Sequence, residues 1–280
     1  MTGALADQVI VPARYNGPPR SGNGGYVCGL LAHELRADHT VPREHDEVAV
    51  RVSLRQPPPL DVPLQVTREV PGTAALTFGG AMIAHAEVVP ADIPPAAPVA
   101  YDVAAAASVR YPGNTSHPFP TCFACGTDRA DGLRIFPGPV APTPDGRTVV
   151  AAPWTPAADI CADFHEYDEP HQRACLAATW AALDCIGGWA GDLGERLMVL
   201  GRMTAVVDDL PLVGEPHVVM GESRGQEGRR TFTASTLYDP DGRIVGRAEH
   251  VWVAVDPETF HSLISDPLNS DPFNSDQEST

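Results

Sequence analysis

The chain has 280 residues, of which 43% are hydrophobic, and a formal net charge of -17. This charge argues against a nucleic-acid partner, because phosphate recognition needs clustered basic residues. All 19 basic residues are arginine, which excludes Schiff-base chemistry and a Walker-type phosphate loop, since both need a lysine.

The sequence also predicts where the protein works. No apolar run reaches the about 20 residues that span a bilayer, and residues 1–7 lack the basic start and apolar stretch of a signal peptide. We therefore expect a cytoplasmic protein with no membrane partner. Its six cysteines are then expected to be thiols rather than disulfides.

The first half of the chain is predicted to hold one helix followed by several strands. A short strand over 9–12 leads into a Gly-rich turn and a helix over about 22–36. From Val48 to Leu54 apolar and polar residues alternate, which is the period of two expected of a half-buried strand. Turn signals separate three further predicted strands, at residues 64–70, 74–78 and 81–89.

The second half repeats this order after a Pro/Ala-rich linker over 90–98. A long apolar helix is predicted over 172–189, with strands at 133–136, 148–154, 197–208, 217–222, 231–238 and 243–255. Hairpin-joined strands after one helix imply an antiparallel sheet that covers the helix. The prediction is an α+β fold with two similar domains, 1–98 and 99–255, and an acidic, disordered tail over 256–280.

One carboxylate stands out in the second helix. Asp184 is the only charged side chain between Ala174 and Ala190, and aspartate is among the residues least often buried without a partner. Burial raises the pKa of a carboxyl group, which is a common way of making a catalytic acid or base. On this segment alone, an aspartate that caps a turn or pairs with an arginine is an equally good interpretation.

The order of several motifs resembles a known family. Cys122-Phe-Ala-Cys-Gly126 followed by Gly132-Leu-Arg-Ile-Phe136 resembles the lead-in of phenylacetate-pathway-type thioesterases. Asn23-Gly24-Gly25 resembles their His-Gly-Gly signature at a helix start, and Asp184 resembles their helix carboxylate. The resemblance, over roughly residues 9–255, is to hotdog-fold acyl-CoA thioesterases in a fused form. It implies a tandem (double) hotdog, each half a long helix wrapped by an antiparallel sheet.

The two halves depart from the family pattern in complementary ways. In the family the acid stands nine positions after the first residue of the signature. Nine positions after Asn23 stands Ala32, and nine positions before Asp184 stands Cys175. The first half thus has the Gly-Gly turn without the acid, and the second has the acid without the turn. The resemblance therefore implies one composite site between the halves and a second, inactive one.

The resemblance also implies roles for these residues, with an acyl-CoA or acyl-carrier thioester as substrate and no cofactor. Asp184 would act as general base or as nucleophile. The backbone N–H groups of Gly24, Gly25 and Tyr26 would form an oxyanion hole at the positive end of the helix. Asn23 would cap the helix or orient the substrate, although a plain turn at a helix start explains Asn23-Gly24-Gly25 better when the motif is taken alone.

Binding partners follow from charge and from exposed strand edges. Arginine side chains suit the phosphates of an acidic ligand. Exposed sheet edges invite pairing, so that a homo-oligomer is a further expectation. The arginines available for phosphates are Arg14, Arg20, Arg202, Arg224, Arg229 and Arg230.

Two other functions stay open. Gly221–Gly225 matches the nucleophile-elbow pattern of serine hydrolases, with Ser223 as nucleophile, Asp239 or Asp241 as the acid and His250 downstream. The residues that follow predict a hairpin, however, whereas an elbow needs a strand, a sharp turn and a helix. A non-catalytic acyl- or acyl-CoA-binding hotdog protein would also keep the fold, and the missing family histidine favours it.

Cysteine and histidine residues raise the question of zinc. Cys122-x-x-Cys125 provides half of a zinc site and His117 could add a ligand, but no second cysteine pair follows at suitable spacing. A second group has acceptable ligand types and spacings, and we interpret it as buried thiols and loop histidines, with no metal predicted. Its members are Cys161, His165, His171 and Cys175.

Overall fold

A computed structural model describes residues 7–36, 48–160, 172–258 and 260. In these ranges the helices are α1 (Gly24–Arg36), α2 (Tyr101–Ser108) and α3 (Leu176–Ala190). The strands are β1 (Gln8–Ile10), β2 (Val48–Leu54), β3 (Pro63–Thr67), β4 (Thr73–Phe78), β5 (Ala81–Pro90), β6 (Gly138–Pro139), β7 (Val149–Trp154), β8 (Met198–Val207), β9 (His217–Glu227), β10 (Arg230–Tyr238) and β11 (Ile244–Ala254). None of the helices described is long and apolar enough to cross a membrane.

The strands form one sheet in the order β1-β3-β4-β5-β2-β8-β11-β10-β9-β7-β6. At its centre β2 and β8, the first strands after α1 and α3, pair antiparallel, with Val50 opposite Ala205 and Val52 opposite Met203. From this pair the order β5, β4, β3, β1 runs outward on one side and β11, β10, β9, β7 on the other. The two halves therefore repeat one strand order, and the predicted antiparallel α+β architecture is confirmed.

Helices α1 and α3 pack against the sheet and against each other. Their contact is close because small residues four positions apart on each helix face one another. A Cβ at Gly25 would lie 2.8 Å from the Trp180 carbonyl oxygen and 3.0 Å from Ala181 Cα, and one at Gly29 would lie 2.6 Å from Ala177 Cα. Every residue of α3 is buried, as its apolar sequence predicted.

The predicted strand over 133–136 is wrong. The N–H groups of Leu133 and Ile135 donate to the carbonyls of Phe123 and Ala124, at 2.8 and 2.9 Å. These bonds tie the segment to the loop that contains Cys122. The backbone of this segment therefore pairs with a loop, and not with a strand of the sheet.

The segment over 90–98 links the halves, but it is not a free spacer. Ile93 and Ala96 are buried, and the Tyr238 hydroxyl donates to the Ala96 carbonyl at 2.6 Å. The segment thus lies packed on the sheet and leads into α2. Helix α2 was not predicted from the sequence. Most of the predicted acidic tail, 261–280 and residue 259, lies outside the described residues, although Phe260 is buried.

Candidate functional site

A cavity of about 90 Å³ lies at the start of α1. Asn23, Gly24 and Leu54 line it from the first half of the chain, and Asp184 and Trp252 from the second. Its wall is mainly apolar, so a polar group that reaches it is poorly solvated. By volume the cavity exceeds the about 10–15 Å³ that one water needs.

Asp184 is held by the other half of the chain. It is 2% exposed, and its Oδ2 accepts the backbone N–H of Gly25 at 2.8 Å. Burial raises the pKa of Asp184 to about 7, while the Gly25 N–H and the nearby Asn23 amide oppose this rise. Its Oδ1 is buried and accepts no hydrogen bond of acceptable geometry from the described residues. The partner of this carboxylate is therefore an amide at a helix start, not an arginine.

Glycine is required at the point where α1 meets Asp184. A Cβ on Gly25 would lie 2.4 Å from the Asp184 Cβ, which is far inside van der Waals contact. Only a residue without a side chain lets the backbone N–H approach the carboxylate this closely.

The start of α1 leaves fewer amides available than the sequence predicted. Asn23 caps the helix, since its Oδ1 accepts the Tyr26 N–H at 2.9 Å. The Gly25 N–H is bound to Asp184. Two of the three N–H groups predicted for an oxyanion hole thus have acceptors within the protein. Gly24 lines the cavity, and its N–H is the one for which the described part of the chain provides no acceptor.

The two helix starts correspond to each other residue by residue. Cys175 caps α3, with its sulfur accepting the Ala178 N–H at 3.4 Å, just as Asn23 caps α1. Nine residues further on stand Asp184 in α3 and the fully packed Ala32 in α1. The carboxylate in one half is therefore replaced by a methyl group in the other.

Three thiols meet beside Asp184. The sulfurs of Cys122 and Cys185 are 3.6 Å apart, and together with that of Cys125 all lie within 4.8 Å of one another. Hydrogen bonds from the Cys125 and Cys185 thiols hold the pKa of Cys122 below that of an ordinary thiol, and the backbone N–H groups of Cys125 and Ala124 act in the same direction. All three cysteines line the cavity.

The sequence pointed to Cys122 and Cys125 but missed Cys185, which lies 60 positions further along the chain. In the sequence, the one indication that Cys185 belongs to the site was its position directly after Asp184. His117 does not join the group: its Nδ1 accepts the Phe119 N–H at 2.9 Å and its Nε2 lies 3.0 Å from the Cys125 carbonyl oxygen. The described cysteines are free thiols, as predicted. Cys161, His165 and His171 lie outside the described residues.

The arginines predicted to hold phosphates do not converge on one place. Arg14 forms ion pairs with Asp131 and Asp159. Arg202 and Arg224 line a separate pocket, and none of its lining residues lines the cavity at Asp184. The exposed pair at the turn between β9 and β10 is Arg229 and Arg230.

Of the arginines predicted to bind phosphates, Arg20 is the nearest in sequence to residues that line the cavity. It is exposed on the loop over 17–22, four residues of which line the cavity. Arg55, which was not predicted, is exposed between Leu54 and Gln56, and both of these line the cavity. Both residues are therefore exposed on segments that contribute to the cavity wall.

Ser223 does not stand at a nucleophile elbow. It lies within β9, opposite Thr233 of β10, so that the strand continues through it without the required turn and helix. The His250 Nδ1 is engaged by the Thr233 hydroxyl at 3.1 Å, and Asp239 accepts from Arg243 at 2.8 Å. The histidine and the acid of the supposed triad are thus bound to other partners and Ser223 lies inside a strand, so the serine-hydrolase alternative is not supported.

The chain is similar in fold to several solved structures. The chain is similar to the acyl-CoA thioesterase II of Mycobacterium marinum, with a TM-score of 0.54 and 13% identity over 85% of this chain and 93% of that one. It is also similar to a conserved hot dog fold protein of unknown function from Alicyclobacillus acidocaldarius, with a TM-score of 0.53 and 13% identity over 89% and 92% of the two chains. No family model and no curated protein matches the sequence. The chain has the hotdog fold.

Proposed function

We propose that this chain is an acyl-CoA thioesterase-like hydrolase with one composite site between two fused hotdog units, residues 1–98 and 99–255, followed by an acidic tail over 256–280. The observation that carries the proposal is the pair formed by Asp184 and Gly25. A buried carboxylate of the second unit is fixed through Oδ2 by an amide of the first, while its Oδ1 accepts no hydrogen bond of acceptable geometry from the described residues. Asp184 also lines the cavity. The Mycobacterium marinum acyl-CoA thioesterase of similar fold supports the choice of substrate class.

The reaction would be hydrolysis of the thioester by a water activated in the cavity. The Asp184 Oδ1 takes a proton from the water, whose oxygen forms a bond to the carbonyl carbon. The carbonyl electron pair moves onto oxygen, which faces the Gly24 N–H at the positive end of α1. Collapse of this intermediate breaks the carbon–sulfur bond, and the departing thiolate takes the proton back from Asp184. The products are the free acid and the thiol.

In this scheme Asp184 serves as a base, and the Gly25 N–H fixes the position of its carboxylate. Asn23 orients the start of α1 by its cap. The equivalent positions of the second potential site, Ala32 in the first unit and Cys175 in the second, offer neither a carboxylate nor a Gly-Gly turn. A single active site per chain follows from this difference.

The carrier would extend past the loops that bear Arg20 and Arg55. Both residues are exposed and adjacent in the chain to residues that line the cavity. Guanidinium groups bind phosphate oxygens through charge-assisted hydrogen bonds. Coenzyme A is therefore the carrier that we propose.

The test is hydrolysis of short, medium and long acyl-CoAs by the native protein and by Asp184→Asn. Asparagine keeps the shape and the acceptor for the Gly25 N–H but cannot take a proton, so kcat/KM is expected to fall about 10²- to 10⁴-fold. Glu222→Gln is the matched control, since Glu222 is buried and bound to Arg147 at 2.6 Å but does not line the cavity.

Three outcomes separate the alternatives. Turnover that collapses in Asp184→Asn and survives in Glu222→Gln supports the composite site. Unchanged turnover in Asp184→Asn overturns the role of this carboxylate. Binding of acyl-CoA without turnover in the native protein overturns the hydrolase and supports an acyl-CoA-binding protein.

A further inference from the structure

The three thiols beside Asp184 have the geometry of a metal site. A zinc ion bound to thiolates at about 2.3 Å in tetrahedral geometry sets its sulfurs about 3.8 Å apart. The Cys122 and Cys185 sulfurs are already 3.6 Å apart, and all three sulfurs lie within 4.8 Å of one another. Small side-chain rotations would bring them to this spacing.

The loop that carries two of the thiols is a tight turn. The Gly126 N–H donates to the Cys122 carbonyl at 2.8 Å. A Cβ at Gly126 would lie 2.5 Å from the Pro120 carbonyl oxygen, so the turn tolerates only glycine there. This turn keeps the Cys122 and Cys125 sulfurs within 4.8 Å of each other, as two ligands of one metal ion have to be.

Asn23 adds donors from the other half of the chain. Its Nδ2 lies 3.7 Å from the Cys122 sulfur and 3.6 Å from that of Cys185. Amide donors next to metal-bound sulfur stabilise the thiolate and orient the ligand. Two apolar thiols packed side by side would not need such a set of donors.

We propose that Cys122, Cys125 and Cys185 together bind a thiophilic divalent metal ion, zinc. Zinc is the divalent ion whose preference for sulfur ligands in tetrahedral geometry matches this group best. Three protein ligands leave a fourth position, and the three cysteines line the same cavity as Asp184. Asp184 itself is not one of the grouped ligands, so a solvent molecule would occupy that position. The ion would also fasten the Cys122 loop to α3.

The experiment is a metal analysis of the full-length protein, purified without a histidine tag. We expect about one zinc ion per chain in the native protein and background zinc in Cys122→Ser and Cys185→Ser. Cys175→Ser is the matched control, because serine is a good helix cap and Cys175 lies outside the group. This variant should keep its zinc.

A second measurement does not depend on the folding of variants. Cobalt added to the reduced native protein should produce sulfur-to-cobalt charge-transfer absorption, which zinc then displaces. The proposal is overturned if neither zinc nor this absorption is found, or if zinc persists in both Cys122→Ser and Cys185→Ser. It is also overturned if the fresh protein, denatured without reductant, shows a disulfide within the group.

This site and the proposed hydrolysis can fail separately. Asp184→Asn should lose hydrolysis and keep its zinc, since the aspartate is not a ligand. Absent zinc in a protein that hydrolyses acyl-CoA through Asp184 would overturn the metal site alone.

Discussion

The contact between α1 and α3 makes a sharp prediction for Gly25→Ala. The new Cβ would lie 2.4 Å from the Asp184 Cβ, 2.8 Å from the Trp180 carbonyl oxygen and 3.0 Å from Ala181 Cα. Backbone atoms and a Cβ cannot rotate away, so the cost lies near the upper end of the about 1–3 kcal/mol typical of overpacking. The better helix propensity of alanine offsets about 1 kcal/mol. We expect a net loss of about 2 kcal/mol in the free energy of unfolding, or a Tm about 4–8 °C lower.

Gly29→Ala is the control that separates stability from site geometry. Its Cβ would lie 2.6 Å from Ala177 Cα and 2.9 Å from the Trp180 Cβ, so a similar loss of Tm is expected, but Asp184 is not among its three nearest contacts. Gly25→Ala should in addition lower acyl-CoA hydrolysis about 100-fold, because a displacement of about 1 Å at the reacting groups has this effect. Thermal unfolding and hydrolysis of both variants are the assays. A Gly25→Ala protein as stable and as active as the native one would refute the close contact.

Two further predictions concern stability. Burial lowers the pKa of His250 to about 4, whereas the pKa of an unfolded histidine is about 6.5. Between these two pH values the unfolded state binds more protons than the folded state. The free energy of unfolding therefore falls by about 3 kcal/mol as the pH drops from about 6.5 to about 4. In His250→Asn, which keeps a partner for Thr233, denaturant titrations at pH 7 and 4 should show a smaller difference, and an unchanged one would contradict this reasoning. Tyr238→Phe leaves the Ala96 carbonyl without its donor and should cost about 1–2 kcal/mol, whereas Tyr101→Phe, at an exposed tyrosine, should cost nothing measurable by thermal unfolding.

Local patterns in the sequence explain why most elements could be predicted. The alternation from Val48 to Leu54 and the largely apolar sequence of α3 each indicate burial directly, on one face or on all faces. The predicted strand over 133–136 was wrong because this segment hydrogen-bonds to a loop, which hydrophobicity alone does not distinguish from a strand. Helix α2 is short and half of its residues are alanine, so it carries no periodic signal.

The repeated α+β order and the buried position of Asp184 could be inferred from the sequence, since both depend on neighbours along the chain. The nine-residue correspondence of the two helix starts was implied by the family resemblance. The tertiary structure decided which groups meet. In the structure the Gly25 N–H donates to Asp184 and is not available to a substrate oxygen. The predicted arginines lie apart from one another, and Cys185 lies next to Cys122 and Cys125. Such contacts depend on how the helices and loops pack, and this packing involves residues far apart in the chain.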